Sequence, residues 1–246
     1  MVYIALAVIL VVLILSIIAS RRVEIPRRVS LEGIEDNEVV EAYDRINRWP
    51  QFRALRRMFV TALKRHSPEG VLVDVGCGPG YLMAGIARSL PHLSIIGVDI
   101  AEEMLLKAGN NLAPMGLAEK VSFRRGDIQG LPLESDSIDF VVSTLSLHHW
   151  SQPKQAVQEI HRVLKPGGQF LIFDLRRDSP RAAYWIVRFA QSFILPTALG
   201  RINEPTASFM ASYTPAEVEA RMSDTPFDKW RVRPGLFWAF TWGEKG

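Results

Sequence analysis

Residues 70–80 read Gly70-Val-Leu-Val-Asp74-Val-Gly76-Cys77-Gly78-Pro-Gly80, and the reading of this stretch decides the fold. Residues 70–75 are a short apolar run with one acid near its end, as expected of a strand buried on both faces. The glycines that follow suit a sharp turn whose backbone comes close to a ligand. A helical pattern then covers 81–90. Strand, glycine loop and helix together describe a nucleotide-binding α/β unit. Two versions of that unit fail on spacing. A P-loop needs Gly-Lys-Ser/Thr, and neither lysine nor Ser/Thr follows Gly80. A dinucleotide fingerprint needs G-x-G-x-x-G, but the sixth residue is Tyr81 counted from Gly76 and Met83 counted from Gly78. Asp74 is also badly placed for a pyrophosphate and suits a ligand with a cationic end.

The same rhythm continues outward from the loop. Apolar runs at 93–99, 121–125, 138–143 and 169–174 read as strands, and 102–110 and 155–164 as helices, the second stopped by Pro166-Gly167-Gly168. Runs at 229–233 and 236–242 supply closing strands. The alternation predicts a Rossmann-like, doubly wound, mostly parallel seven-stranded sheet with helices on both faces. Upstream, apolar spacing over 35–65 gives two helices separated at Pro50. The second is basic (Arg53, Arg56, Arg57, Lys64, Arg65) and reads as a solvated face. Thr214-Pro215-Ala216-Glu217 starts a further helix: an N-cap threonine, a first-position proline and a glutamate three residues on.

The loop D-V-G-C-G-P-G resembles motif I of the class I S-adenosylmethionine-dependent methyltransferases, in particular the methyltransferase type 11-like domain. The resemblance runs from about 70 to 175: Asp99 in GVDI, Gly126-Asp127-Ile128, Leu131-Pro132-Leu133 before SDSIDFVVS, and His161-Arg-Val-Leu-Lys-Pro-Gly-Gly168. It implies S-adenosyl-L-methionine as cofactor. Asp74 would face the methionine ammonium, Gly76, Cys77, Gly78 and Gly80 would form the loop, and Asp99 would accept the ribose hydroxyls. Asp127 would accept from the adenine amino group between apolar walls from Ile100 and Ile128. Ser143 would stand beside the cofactor and Tyr43 would cover it. Carboxylates are the acceptors such contacts need, although Asp99 can also be read as a helix N-cap and Asp127 as a turn residue. Cys77 enters through its backbone, not as a nucleophile. The family also implies a lid over the acceptor at 181–225, whose 181–212 part is rich in large apolar side chains broken at Pro196 and Pro205.

Composition sets the remaining bounds. The chain has 246 residues, 48% hydrophobic and 22% charged, with net charge +3, so one α/β domain fits (35–246) and no basic stripe speaks for nucleic acid. With Cys77 as the sole cysteine, a disulfide framework and a Cys-based zinc site are excluded, and no metal is expected. Residues 2–19, VYIALAVILVVLILSIIA, contain no charge. As a helix they cover about 27 Å of a ~30 Å hydrocarbon core. No basic residue precedes them, while Arg21, Arg22, Arg27 and Arg28 follow. That pattern favours an uncleaved single-pass anchor at 1–20 and a juxtamembrane linker at 21–34, with the domain on the cytoplasmic side. The four arginines are further available for anionic headgroups.

Methyl transfer mainly demands alignment and exclusion of water. His148 and His149 follow the fourth strand at the carboxyl edge of the sheet, placed either as a base or for positioning. The apolar lid and the anchor together point to a small lipophilic acceptor such as a quinone precursor or a lipid. A soluble metabolite as acceptor, a non-catalytic cofactor-binding module and an NAD-dependent oxidoreductase are the alternatives, and the failed fingerprint speaks against the last.

Overall fold

The structure is a computed structural model that describes residues 20–22, 25–29 and 36–246. The anchor expected at 2–19 and much of the 21–34 linker lie outside the described residues. Among the described residues, no helix is long and apolar enough to cross a membrane.

From residue 36 onward, two helices come first. In α1 (Asn37–Asn47) the N-cap Asp36 carboxylate accepts from Glu38 N at 2.8 Å, and α2 (Pro50–Lys64) opens on a proline that needs no N–H there. The alternating series is β1 (Val71–Val75), α3 (Tyr81–Ser89), β2 (Ser94–Asp99), α4 (Glu102–Leu112), β3 (Val121–Arg125), β4 (Ile138–Thr144), α5 (Pro153–Val163) and β5 (Leu164–Leu175). Then come α6 (Arg181–Phe193), α7 (Thr197–Arg201), α8 (Thr206–Ala211), α9 (Pro215–Met222), β6 (Lys229–Pro234) and β7 (Trp238–Glu244). They build one seven-stranded sheet in the order β3-β2-β1-β4-β5-β7-β6, with β7 antiparallel to both neighbours. The order reverses between β1 and β4, where sheets of this kind open a crevice beyond their carboxyl ends.

The strands alternate faces because successive side chains point to opposite sides. Leu72, Leu171 and Phe173 join a core with Phe59, Leu63, Met83 and Ile86 under α2 and α3. Val73, Phe170 and Ile172 join the opposite core with Ile160 and Leu164. Each such side chain contributes about 1.5–3 kcal/mol on burial.

Two boundaries differ from expectation. Strand β5 begins at Leu164, not 169, and passes through Pro166-Gly167-Gly168 by a shift of register opposite Ile138 and Phe140. Gly167 sits at φ +77° there, a conformation glycine takes without strain. Helix α9, placed by sequence in the lid, belongs to the core: Val218 and Met222 pack with Tyr213 and Phe227. Its capping box at Thr214 and Glu217 forms as expected.

Candidate active site

The glycine loop leaves β1 and folds back over β2, with Gly76 N and Cys77 N both donating to the Val98 carbonyl at 2.8 and 3.1 Å. Gly78 and Gly80 have φ of +50° and +83° but different tasks. A Cβ at Gly80 would lie 2.7 Å from Leu112 Cδ1 and 3.0 Å from Ala108 Cβ, so this glycine lets α3 start against α4. A Cβ at Gly78 would meet only the Tyr43 ring, at 3.9 Å. The space over Gly78 is therefore open to a ligand and roofed by Tyr43.

Asp44 brings Tyr43 there. It is buried, and it accepts from Tyr81 Oη at 2.9 Å, from Asn111 Nδ2 at 2.8 Å and from the Arg48 guanidinium. Asn111 also donates to the Pro79 carbonyl at 3.0 Å. Helices α1, α3 and α4 and the loop are thus one hydrogen-bonded unit. It borders an open cleft lined by Tyr43, Phe52, Arg56, Gly78, Thr144 and Leu145, among others.

Asp74 is 1% exposed, and neither carboxylate oxygen has a hydrogen-bond partner. Burial, and then the charge of Asp99, pushes its carboxyl well above the usual range. An unpaired buried carboxylate is costly, and an ammonium group would supply the missing donors. Asp74 is not among the residues that line the cleft, whereas Arg56, a second ionic group left unsatisfied, is. Its Nη1 is buried without a partner, its guanidinium lies 5.2 Å from the Tyr81 ring centre, and burial lowers its pKa. An amino-acid moiety, cationic at one end and anionic at the other, matches this donor and acceptor set, so the residues present fit S-adenosylmethionine. Sequence reasoning counted Arg56 among a solvated basic face; no periodicity in α2 separates it from Arg53 or Arg57.

Asp99 serves the protein first. Its Oδ2 accepts from Gly78 N at 2.8 Å and its Oδ1 from Ala101 N at 3.0 Å. Burial still raises its pKa. Each oxygen keeps a second lone pair that suits a hydroxyl donor. Asp127 behaves as a turn residue, accepting from Gln129 N at 2.9 Å, and remains half-buried. Ile100 is exposed, whereas Ile128 is buried in the core with Val75 and Val98. Cys77 is buried, and burial pushes its thiol well up, leaving it no nucleophilic role. Ser143 does not reach the cleft. It is fully buried and its hydroxyl donates to the Val75 carbonyl at 2.8 Å, tying β4 to β1; Thr144 and Leu145 line the cleft at this strand end.

The histidines also stand apart from the lining of the cleft. His148 is buried, its Nδ1 2.7 Å from Asp174 Oδ1, and its backbone N donates to Asp174 Oδ2 at 2.8 Å. An ionised carboxylate only accepts, so Nδ1 carries the proton. Glu204, on the turn before α8, is near enough for the His148 charge to act on it, although burial dominates and raises the Glu204 pKa. The His149 ring centre lies 4.0 Å from that of His148 with the planes tilted by 42°, and burial followed by the His148 charge lowers its pKa to about 3. Asp174 and Glu204 were missed. An acid ending a buried strand, the signal that singled out Asp74 and Asp99, also marks Asp174.

The arginines after the apolar run require a correction. Arg27 is not available to headgroups: its Nε donates to the Ala211 carbonyl at 2.6 Å, its Nη2 to the His148 carbonyl at 3.0 Å, and its guanidinium lies 4.1 Å from the Tyr213 ring centre. Arg22 donates to the Asp178 carbonyl at 3.0 Å. Arg21 and Arg28 are exposed.

Known proteins resemble this chain in sequence and in fold. The methyltransferase domain family profile matches residues 73–172. The ubiquinone/menaquinone biosynthesis C-methyltransferase UbiE of Syntrophotalea carbinolica is 28% identical over 187 residues, 75% of this chain and 76% of that one. The biotin biosynthesis bifunctional protein BioHC of Teredinibacter turnerae is 35% identical over 109 residues, 42% of this chain but 19% of that longer protein. A SAM-dependent methyltransferase of Aquifex aeolicus shares the fold with a TM-score of 0.59 at 19% identity, covering 76% of this chain and 88% of that one. The chain thus carries a methyltransferase domain of the S-adenosylmethionine-dependent kind.

Proposed function

We propose that the chain is a membrane-tethered methyltransferase that methylates a small lipophilic acceptor of the quinone class on the cytoplasmic side. The carrying observation is the likeness to UbiE, which at 187 residues extends well beyond the domain core of 73–172. The anchor and its orientation rest on the charge pattern of residues 1–28.

When bound, S-adenosylmethionine supplies an electrophilic methyl group on a good leaving group. Asp74 would hold the ammonium and Arg56 the carboxylate, and Tyr43 would keep water off. A hydroquinone acceptor becomes nucleophilic at a ring carbon when a hydroxyl proton is removed. On this reading His148, oriented by Asp174 but outside the lining of the cleft, is the base that takes it.

The test is transfer of labelled methyl from S-adenosylmethionine into a short-chain demethylated quinol, read in an organic extract. Label in the quinol, abolished by Asp74→Asn, is the expected result. Cofactor binding without label in the quinol would refute the acceptor class.

A further inference from the structure

Helix α6 does not look like part of a closed protein surface. It has no buried residue. Trp185, Ile186, Phe189 and Phe193 are 63%, 66%, 58% and 76% exposed, and Ile194 beyond its end is 56% exposed. Their spacing of three and four residues places Trp185, Ile186, Phe189 and Phe193 on one stripe. Large contiguous apolar patches are uncommon on free surfaces.

Within this segment of chain the charges have one sign, and Arg201 is paired with Glu38 from α1. Between residues 181 and 203 there are three arginines, Arg181, Arg188 and Arg201, and no acid. The stripe also begins where the apolar N-terminal run ends. Arg22 forms an antiparallel bridge with Pro180, and Arg181 N donates to the Arg21 carbonyl at 2.9 Å. Whatever surface holds residues 2–19 therefore brings the first turn of α6 to its edge. The helix is about 20 Å long at 1.5 Å per residue.

We propose that the exposed face of α6 lies in the headgroup–acyl boundary of an anionic lipid bilayer. The proposal rests on the reading of residues 2–19 as a membrane anchor and commits to lipid as the occupant. Aromatic and aliphatic side chains with flanking arginines and no acid are the composition of an interfacial helix. A second protein offering a matching acidic rim would not account for the bonds between α6 and the end of the apolar run.

The opposite side of α6 faces the lid. Tyr184 lies 6.0 Å from the Phe209 ring, Gln191 Nε2 donates to Asn203 Oδ1 at 2.9 Å, and Gln191 Oε1 accepts from Thr206 N at 3.0 Å. The helix on the bilayer thus holds the turn that carries Glu204 beside His148. A lipophilic acceptor would then reach the lid from the lipid phase without crossing water.

The experiment uses the full chain in vesicles of phosphatidylcholine and phosphatidylglycerol, carrying an environment-sensitive fluorophore on Phe189→Cys. Phe189 is exposed and the native Cys77 is buried, so labelling is selective and the fold is spared. Nitroxide-bearing lipids are expected to quench the label by roughly half or more, with weak quenching by aqueous iodide, as for a side chain seated at the interface. Replacing both Trp185 and Phe193 by serine in the labelled chain should reverse that preference. Iodide quenching without lipid quenching overturns the proposal. So does protection from both quenchers with energy transfer between labelled copies, which would mean self-association. Titration of S-adenosylmethionine into the same vesicles separates the two readings. Cofactor binding with a water-exposed label removes only the interfacial helix; lipid quenching without cofactor binding removes only the methyltransferase reading.

Discussion

Two alanine substitutions two residues apart, Gly78→Ala and Gly80→Ala, test the division of labour in the glycine loop. Both glycines have positive φ, +50° and +83°, and an L-residue in that region costs about 1–2 kcal/mol. At Gly78 nothing is added to this cost, since a Cβ meets only Tyr43 at 3.9 Å. At Gly80 the Cβ is driven against Leu112 at 2.7 Å and Ala108 at 3.0 Å. Overpacking of this kind costs a further ~1–3 kcal/mol. Gly78→Ala should therefore lose about 1–2 kcal/mol of stability and Gly80→Ala about 2–5 kcal/mol. Cofactor binding should order the other way per unit of stability lost. The Gly78 methyl occupies the space under Tyr43 where a ligand belongs, and a tenfold or greater loss of affinity, about 1.4 kcal/mol, is expected. Denaturant unfolding followed by circular dichroism gives the first quantity, and calorimetric titration of S-adenosylmethionine the second. Wild-type affinity in a folded Gly78→Ala protein would refute the assignment of that space to the cofactor. Equal stability of the two variants would refute the packing role of Gly80.

The raised carboxyl of Asp74 has two further consequences. A group whose folded pKa is raised contributes stability below its unfolded pKa and loses it as pH rises through the folded value, so Asp74→Asn should unfold at higher denaturant than the wild type at neutral pH without ligand. Since a cation prefers the ionised form, wild-type affinity for S-adenosylmethionine should rise with pH as Asp74 ionises, and in Asp74→Asn it should be weaker and flat over the same window; calorimetry across pH checks both. Arg56→Met keeps the apolar contacts of the side chain while removing the donor, and should weaken S-adenosylmethionine about tenfold or more, with little change for adenosine, which lacks the carboxylate. His148→Gln should lower kcat far more than His149→Gln at unchanged cofactor affinity, because a group held near pKa 3 is a poor base at neutral pH; equal losses would set that assignment aside.

The sheet was legible because its signals are local. Runs such as 70–75 and 169–174 are apolar over a strand's length, and the glycines stand at one strand end, where only a turn uses them. The Thr214–Glu217 capping box is legible for the same reason. What stayed hidden depends on contacts between distant residues. Arg56 differs from Arg53 and Arg57 only in what faces it, and that surface is made by residues 76–82 and 144–145. Arg177 is buried because Glu217 and the Ile25 and Ser212 carbonyls converge on its guanidinium. No pattern in the chain around Arg177 announces partners 40 and 152 residues away. Ser143 came only from the family resemblance, and pairing of β4 with β1 leaves its hydroxyl facing the Val75 carbonyl inside the sheet.

The segment read as a linker bears on how the site works. Arg27 reaches the carbonyl of His148, Arg177 reaches the carbonyl of Ile25, and Arg28 N donates to the Met210 carbonyl at 3.1 Å. Residues 25–28 are therefore a strut between the start of the chain, the end of β5 and the lid helix α8. His148 sits where these parts meet, fixed by Asp174 from the sheet, by Arg27 from the strut and close to Glu204 from the lid. A buried imidazole at such a junction keeps its orientation only while all three elements are in place. A flexible tether would need none of these bonds. Under the proposed tethering, this strut would couple the position of the domain to the geometry of its candidate base.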